Sequence, residues 1–243
     1  MRIVWHEVEC GAYEADLPLW EELADEQGDP VLELGCGAGR VALHLARRGK
    51  SVLGLDLDAE LVSALNARRG VLSVEAALGN AGGFDLEREF ALVLAPMQLM
   101  QLLDGEAERI SCLSCIAAHL RPGGRAALAI AEEVIGSAVG ITATPAPDTV
   151  VPDAREVDGW VYSSLPLQTV ADRERIVVRR LRQTVSPGGE LSEELDEVEL
   201  RALSASTLEC EAASAGLRPT ARREIEPTAD HVGSTVVLLE RED

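Results

Sequence analysis

The sequence is poor in aromatic residues, which make up 3% of its 243 positions, and poor in positive charge, with 22 Lys and Arg against 42 Asp and Glu. A core of this size must therefore be built from Leu, Val, Ile and Ala. A net charge of -20 repels phosphate backbones and anionic membrane surfaces, which argues against a nucleic-acid or membrane partner. Histidine is scarce: His6, His44, His119 and His231 form no metal-ligand spacing, so no metal site is expected. Cysteine is odd in number, at Cys10, Cys36, Cys112, Cys115 and Cys210, which does not suit a disulfide scaffold. Cys112 and Cys115 fall within a helical pattern and read as core. Long apolar runs are missing too. Ala91 to Leu103 is interrupted by Pro96, Gln98 and Gln101, and the first nine residues show no signal-peptide pattern. The expected location is the cytoplasm.

What is present is an alternation of short apolar runs with helical stripes. Val31–Leu34, Ser51–Leu55, Ser73–Ala77, Ala91–Ala95 and Ala126–Ile130 read as strands. Helices are expected over Arg40–Arg48, after an Asp58 N-cap, and over Glu106–Leu120, with Ile110, Leu113, Ala117 and Leu120 inward. Arg121-Pro122-Gly123-Gly124 reads as a turn. Repeated β-α units with buried strands imply an α/β fold with a mostly parallel sheet and helices on both faces.

The pattern changes after Ala131. Gly136 to Asp158 reads as a loop. Trp160–Val170, Arg175–Val185 and Leu195–Arg201 read as antiparallel strands. Ser206-Thr207-Leu208-Glu209 matches a capping box opening a short helix, followed by strands Arg218–Ile225 and Val236–Glu240. The acidic run Glu190 to Glu199 reads as a solvated face.

The chemistry-bearing segment is Val31-Leu32-Glu33-Leu34-Gly35-Cys36-Gly37-Ala38-Gly39-Arg40. A strand enters a glycine-rich bend and a helix begins at once, leaving helix N–H groups open to a ligand. The glycine order is G-x-G-x-G rather than the dinucleotide G-x-G-x-x-G, with Arg40 at the third glycine of the latter. Asp56, seventeen positions after Gly39, ends the next strand, where a carboxylate can accept both hydroxyls of a ribose.

Together with Gly79-Asn80-Ala81, Phe84-Asp85-Leu86, Phe90 to Pro96 and Leu120-Arg121-Pro122-Gly123-Gly124-Arg125, this segment resembles the class I S-adenosylmethionine-dependent methyltransferases. The resemblance runs from Val31 to Ile130 and resumes at the closing helix and strands. It implies one methyltransferase domain on a Rossmann-like, doubly wound, mostly parallel seven-stranded sheet, with an antiparallel strand insertion before the last helix. Its parts would be an N-terminal lid or helical segment (1–29), a cofactor-binding half (30–131), the strand insertion (155–201) and the closing elements (206–243).

The resemblance also implies roles. Gly35, Cys36 and Gly37 would lie under the amino-acid part of S-adenosyl-L-methionine, and Glu33 would orient the bend or reach the amino group through water. Asp56 would hold the ribose and Leu57 would pack on the adenine. Asn80 stands where the family commonly has Asp beside the adenine amino group, and Ala81 would offer its N–H to the ring. Ala95 would face the methionine part, and Tyr13 would close over the cofactor. Trp20, Met97, Met100, Gln101, Trp160, Tyr162 and His231 are the substrate-facing candidates. No general base is evident. After the fourth strand the chain reads Ala95-Pro96-Met97-Gln98, without the Asn or Asp that grips a planar nucleobase amine. The expected partner is a small-molecule methyl acceptor, on a monomer or homodimer. Alternatives are a protein or RNA methyltransferase on the same fold, or a non-enzymatic module that binds the same cofactor.

Overall fold

The computed structural model describes residues 2–132, 142–143, 151–172, 174–228 and 231–242. Its elements, in chain order, are α1 (Arg2–Cys10), α2 (Leu17–Gln27), β1 (Val31–Leu34), α3 (Arg40–Arg47), β2 (Val52–Asp56), α4 (Ala59–Arg68), β3 (Val74–Leu78), β4 (Phe90–Ala95), α5 (Leu99–Leu102) and α6 (Glu106–His119). They continue with β5 (Leu120–Ile130), β6 (Thr142–Ala143), β7 (Asp153–Val157), β8 (Trp160–Ala171), β9 (Arg175–Val185), β10 (Leu191–Arg201), α7 (Ala205–Ser214), β11 (Leu217–Ile225) and β12 (Ser234–Arg241). Two compact units form. One comprises Glu14–Glu132 with Leu203–Asp243, the other Met1–Tyr13 with Glu133–Ala202.

The larger unit is built on a seven-stranded sheet ordered β11-β12-β5-β4-β1-β2-β3. β12 alone runs antiparallel to its neighbours. Buried strands with period-2 side chains need cover on both faces, and the sequence provides it. One face sends Leu32, Leu34, Val93, Ala126, Leu128, Val237 and Leu239 into a core shared with Leu113 and Ile116 of α6 and Leu208 and Ala212 of α7. The alternate residues Val31, Leu92, Leu94, Ala127, Ala129 and Val236 are equally buried. α2 contacts β4, and α3 contacts β2.

Several local expectations are corrected. Of the expected inward residues of α6, Leu113 and Leu120 are buried and Ala117 packs half-buried against the core, while Ile110 is only half-buried; Arg109, Cys112, Ile116 and His119 are buried besides. Residues 121–124 do turn, but as a bulge inside β5: Leu120 pairs with Phe90, and pairing resumes with Arg125 opposite Leu92. The N-cap of α7 is Ser204, whose hydroxyl accepts the Thr207 N–H, two residues before the expected capping box. His119 lies at the end of α6, with its Nδ1 2.7 Å from the Cys115 carbonyl and its Nε2 2.9 Å from the Leu86 N–H. Arg109 forms a buried fork to Glu211, with Nε–Oε2 at 2.8 Å, joining α6 to α7.

The smaller unit is an antiparallel sheet in which β8, β9 and β10 follow one another and β6 and β7 both pair with β8. β7 lies inside the stretch expected to be loop, and β10 begins at Leu191 rather than Leu195; the rest of 136–150, apart from the two residues of β6, lies outside the described residues. α1 lies on this sheet. Glu9 accepts Arg182 through both oxygens, at 2.8 and 2.7 Å, and the Ser164 hydroxyl at 2.8 Å. Trp5 meets Tyr162 edge-on at 5.4 Å and carries the Arg182 guanidinium over its ring. The acidic run is partly paired across strands, Asp196 to Arg182 and Glu197 to Arg179.

Candidate active site

Strand order reverses between β1 and β4: β2 and β3 lie to one side of β1, β4 and β5 to the other. In open α/β sheets the crevice outside the carboxyl ends of the strands at such a switch point is where ligands bind. Glu33, the glycine bend, Asp56 and Ala95 all sit at that edge.

The bend is held by the neighbouring strand. Gly35 and Cys36 both donate their N–H groups to the Leu55 carbonyl, at 2.8 and 3.1 Å. The Gly37 N–H donates to Asp56 Oδ2 at 2.7 Å, and the Gly39 N–H to the Cys36 carbonyl. Gly35, Gly37 and Gly39 have φ of 66°, 53° and 93°, the left-handed region that an L side chain strains to enter. This corrects the expectation of open amides: those of Gly35, Cys36, Gly37 and Gly39 are already bonded within the protein. What the bend offers a ligand is close approach to a backbone without side chains. The Cys36 side chain points inward onto Gly54, where an added Cβ would stand 2.6 Å from its Sγ. Burial pushes the Cys36 thiol well above its usual range, with Glu33 and Asp56 adding to the effect.

Asp56 is half-buried, and each of its oxygens accepts one backbone N–H, Oδ2 from Gly37 and Oδ1 from Asp58 at 2.9 Å. A carboxylate has further lone pairs, so hydroxyl groups can still be accepted. The helix cap belongs to Asp58, which takes Glu60 and Leu61 N–H groups, and this frees Asp56 from that duty. Leu57 follows, 73% exposed: an apolar side chain at the rim of a polar crevice.

Glu33 is the unusual group. It is 3% exposed, and its Oε2 is buried without a hydrogen-bond partner among the described residues. Burial pushes its carboxyl up to about 8; Arg40 and the Ala42 N–H act the other way, and Asp16 and Asp56 add to the rise. Arg40 is not free to neutralise it, because its guanidinium forks onto Asp16, with Nη2–Oδ2 at 2.6 Å. Sequence reasoning missed this pair. Asp16 precedes Leu17-Pro18 and looks like a plain helix cap, yet its side chain caps nothing and is almost fully buried against Arg40.

Asn80 closes its own turn, its Oδ1 accepting the Gly82 N–H at 2.8 Å and its carbonyl the Gly83 N–H. Ala81 is half-buried against the core, and Ala95 is fully buried at the end of β4. Met97 lies just beyond at φ 56°, half-buried, in a conformation unusual for a side chain of its size.

Three substrate candidates are corrected. Trp20 and Met100 are wholly buried in the core, and Gln101 is buried with Oε1 accepting the Ala131 N–H at 2.7 Å, tying α5 to the end of β5. None of them presents a surface. His231, just ahead of β12, exchanges two hydrogen bonds with Thr228, at 2.9 and 3.0 Å. Tyr13, Trp160 and Tyr162 belong to the smaller unit. Tyr13 is buried, Tyr162 packs on Trp5, and Trp160 is exposed, beside Thr184, Ser186, Glu190, Leu191 and Ser192. Their part in a ligand site rests on the resemblance alone.

The donor set fits an adenosyl sulfonium amino acid: an unpartnered buried carboxyl for a cation, a carboxylate for hydroxyls, an exposed leucine for a flat ring and a side-chain-free bend between them. Comparison with known proteins agrees. Residues 31–124 match a family model described as a methyltransferase domain. A cypemycin N-terminal methyltransferase of a Streptomyces species is 34% identical over 101 residues, 42% of this chain and 41% of the relative. A ribosomal protein L11 methyltransferase of Dechloromonas aromatica is 34% identical over 150 residues, 58% of this chain and 45% of the relative. The matched stretch thus spans less than half the length of these curated relatives. Among solved structures, CalS10 of Micromonospora echinaspora, an amino pentose methyltransferase in its SAM-bound form, superposes with a TM-score of 0.73 at 18% identity, covering 98% of this chain and 96% of that one. At that identity the likeness shows the fold.

Proposed function

We propose that this chain, whose residues 31–124 match a methyltransferase-domain family model, is a class I S-adenosylmethionine-dependent methyltransferase that transfers a methyl group to an amine on a small molecule. The observation that carries the reading is the pairing, at one strand edge, of the unpartnered Glu33 oxygen with the Asp56 carboxylate across the glycine bend. S-adenosylmethionine supplies an electrophilic methyl on a sulfonium whose departure leaves a neutral thioether.

The residues around it then act by binding and orientation. Asp56 accepts the ribose hydroxyls on the lone pairs left by Gly37 and Asp58. Leu57 covers one face of the adenine. Asn80 retains an acceptor lone pair for the adenine amino group, and Ala81 lies beside it. Glu33 answers the ammonium of the amino-acid part, and the wall at Ala95 excludes water. Holding two reactants in line removes much of the entropic barrier, so a methyl acceptor that arrives as a neutral amine needs no further base. The surface charge supports an uncharged or cationic acceptor over a polyanion.

Two names also favour nitrogen as the acceptor atom, that of the cypemycin N-terminal methyltransferase and that of the structurally similar amino pentose methyltransferase. The likeness to ribosomal protein L11 methyltransferases supports a second reading, a protein substrate. Purified protein incubated with methyl-labelled cofactor and separate panels of amino sugars, simple amines, phenols, carboxylates, peptides and ribosomal protein L11 tests both. Label in the small amines is expected; label confined to protein would favour the second reading, and label in phenols or carboxylates alone would overturn the choice of nitrogen.

A further inference from the structure

The charge count around Glu33 is unbalanced. Arg40 stands on α3, Asp16 at the start of α2, Asp56 at the end of β2, and Cys36 in the bend carries a thiol that burial keeps protonated. Arg40 and Asp16 neutralise each other through a two-bond fork, and both are nearly buried. Asp56 accepts two backbone N–H groups. Glu33 has one hydrogen bond, from the Ala42 N–H, and one oxygen with no partner among the described residues. A carboxylate there would be a buried anion with no counter-ion of its own among the described residues, close to a second carboxyl group. Such a group takes a proton instead.

We infer that Glu33 is a proton-coupled receptor for the cofactor's ammonium group: it is protonated in the empty protein and gives its proton to solvent when the cation settles beside it. The inference rests on the proposed cofactor site. No covalent bond but O–H changes: the proton leaves a Glu33 oxygen for the buffer, and the carboxylate so formed pairs with the incoming ammonium, in contact or across one water. At Glu33 one carboxylate and one ammonium then appear together, so neither is buried alone. The consequence is linkage. Below the raised titration of Glu33, binding strengthens with pH because the proton competes with the cation for the same oxygen. Near pH 8 the gain ends, and at higher pH it reverses as the ligand's own α-amino group loses its charge.

Titration calorimetry with S-adenosylhomocysteine, at pH 7 in buffers of different ionisation enthalpy, measures protons released on binding. This ligand carries the same amino group and no reactive methyl. The expected result is release of more than half a proton per site at pH 7, falling to zero above pH 8, with affinity rising more than tenfold from pH 6 to pH 8. Glu33→Gln, which keeps shape and hydrogen bonding without titrating, is expected to bind more weakly and release none. Tight binding with the same enthalpy in every buffer overturns the inference while leaving the cofactor site standing. No binding at any pH overturns both. Because the wild-type titration alone decides, the outcome does not depend on the variant folding.

Discussion

Gly54 offers the most searching test of how the cofactor bend is supported. It sits in β2 opposite Glu33, and it is the floor on which Cys36 rests. Its backbone is an ordinary strand, so substitution by alanine adds no dihedral strain, and what decides is space. A Cβ built there would stand 2.6 Å from Cys36 Sγ, 2.7 Å from Cys36 Cβ and 3.5 Å from Leu65 Cδ1. The first two are far inside van der Waals contact, and Cys36 cannot swing away, since its N–H is bonded to Leu55 and its side chain is buried. Overpacking of this kind costs about 1–3 kcal/mol. For a chain of this size that corresponds to a loss of about 2–4 °C in Tm per kcal/mol. Because the strain is relieved by lifting the bend, cofactor affinity should fall more than stability does. Cys36→Ala removes only the sulfur and leaves the 2.7 Å contact, so it should rescue little; Cys36→Gly removes both contacts and should restore most of the loss. Thermal unfolding and cofactor titration of the single and double variants form the cycle. A Gly54→Ala protein with unchanged Tm and affinity, or strictly additive single and double variants, would refute the packing argument.

Three further outcomes follow from the same structure. Arg109→Leu strands the buried Glu211 carboxylate and should cost about 3–5 kcal/mol in denaturant unfolding, whereas the double variant with Glu211→Leu should recover most of it. Timed alkylation read by mass spectrometry should label exposed Cys210 first and Cys36 and Cys112 last, since burial raises both of their thiols, Cys112 to about 12. Glu33 holds its proton up to about 8 in the folded protein but loses it near 4.5 once unfolded, so the folded state loses stability as pH rises between those values and levels off above. Glu33→Gln should therefore unfold at a higher temperature than the parent at pH 9, with the gap closing at pH 5; a gap independent of pH would count against a protonated Glu33.

The sheet and its ligand edge were legible because they depend on local signals. Buried parallel strands are continuous apolar runs, and the bend announces itself through Gly35, Gly37 and Gly39. Asp56 was legible for the same reason, standing at a strand end. The Asp16–Arg40, Arg109–Glu211 and Glu9–Arg182 pairs were not, since each joins residues far apart in the chain, and charge in a sequence looks the same whether it ends in water or in the core. Trp20, Met100 and Gln101 misled because a shift of one or two positions along a helix turns a side chain from the site to the core. The bend's amides misled in the opposite way: glycine spacing shows that a backbone is exposed to close approach, not which N–H groups the next strand has already taken.

The central claim is that the crevice between β1 and β4 accepts an adenosyl sulfonium amino acid and not a dinucleotide. Thermal unfolding with S-adenosylmethionine or NAD, each at saturating concentration, tests it directly. A ligand at about 100 times its Kd adds about 2.7 kcal/mol. Stabilisation by S-adenosylmethionine that Asp56→Ala diminishes, with none by NAD, is the predicted result; stabilisation by NAD alone would contradict it.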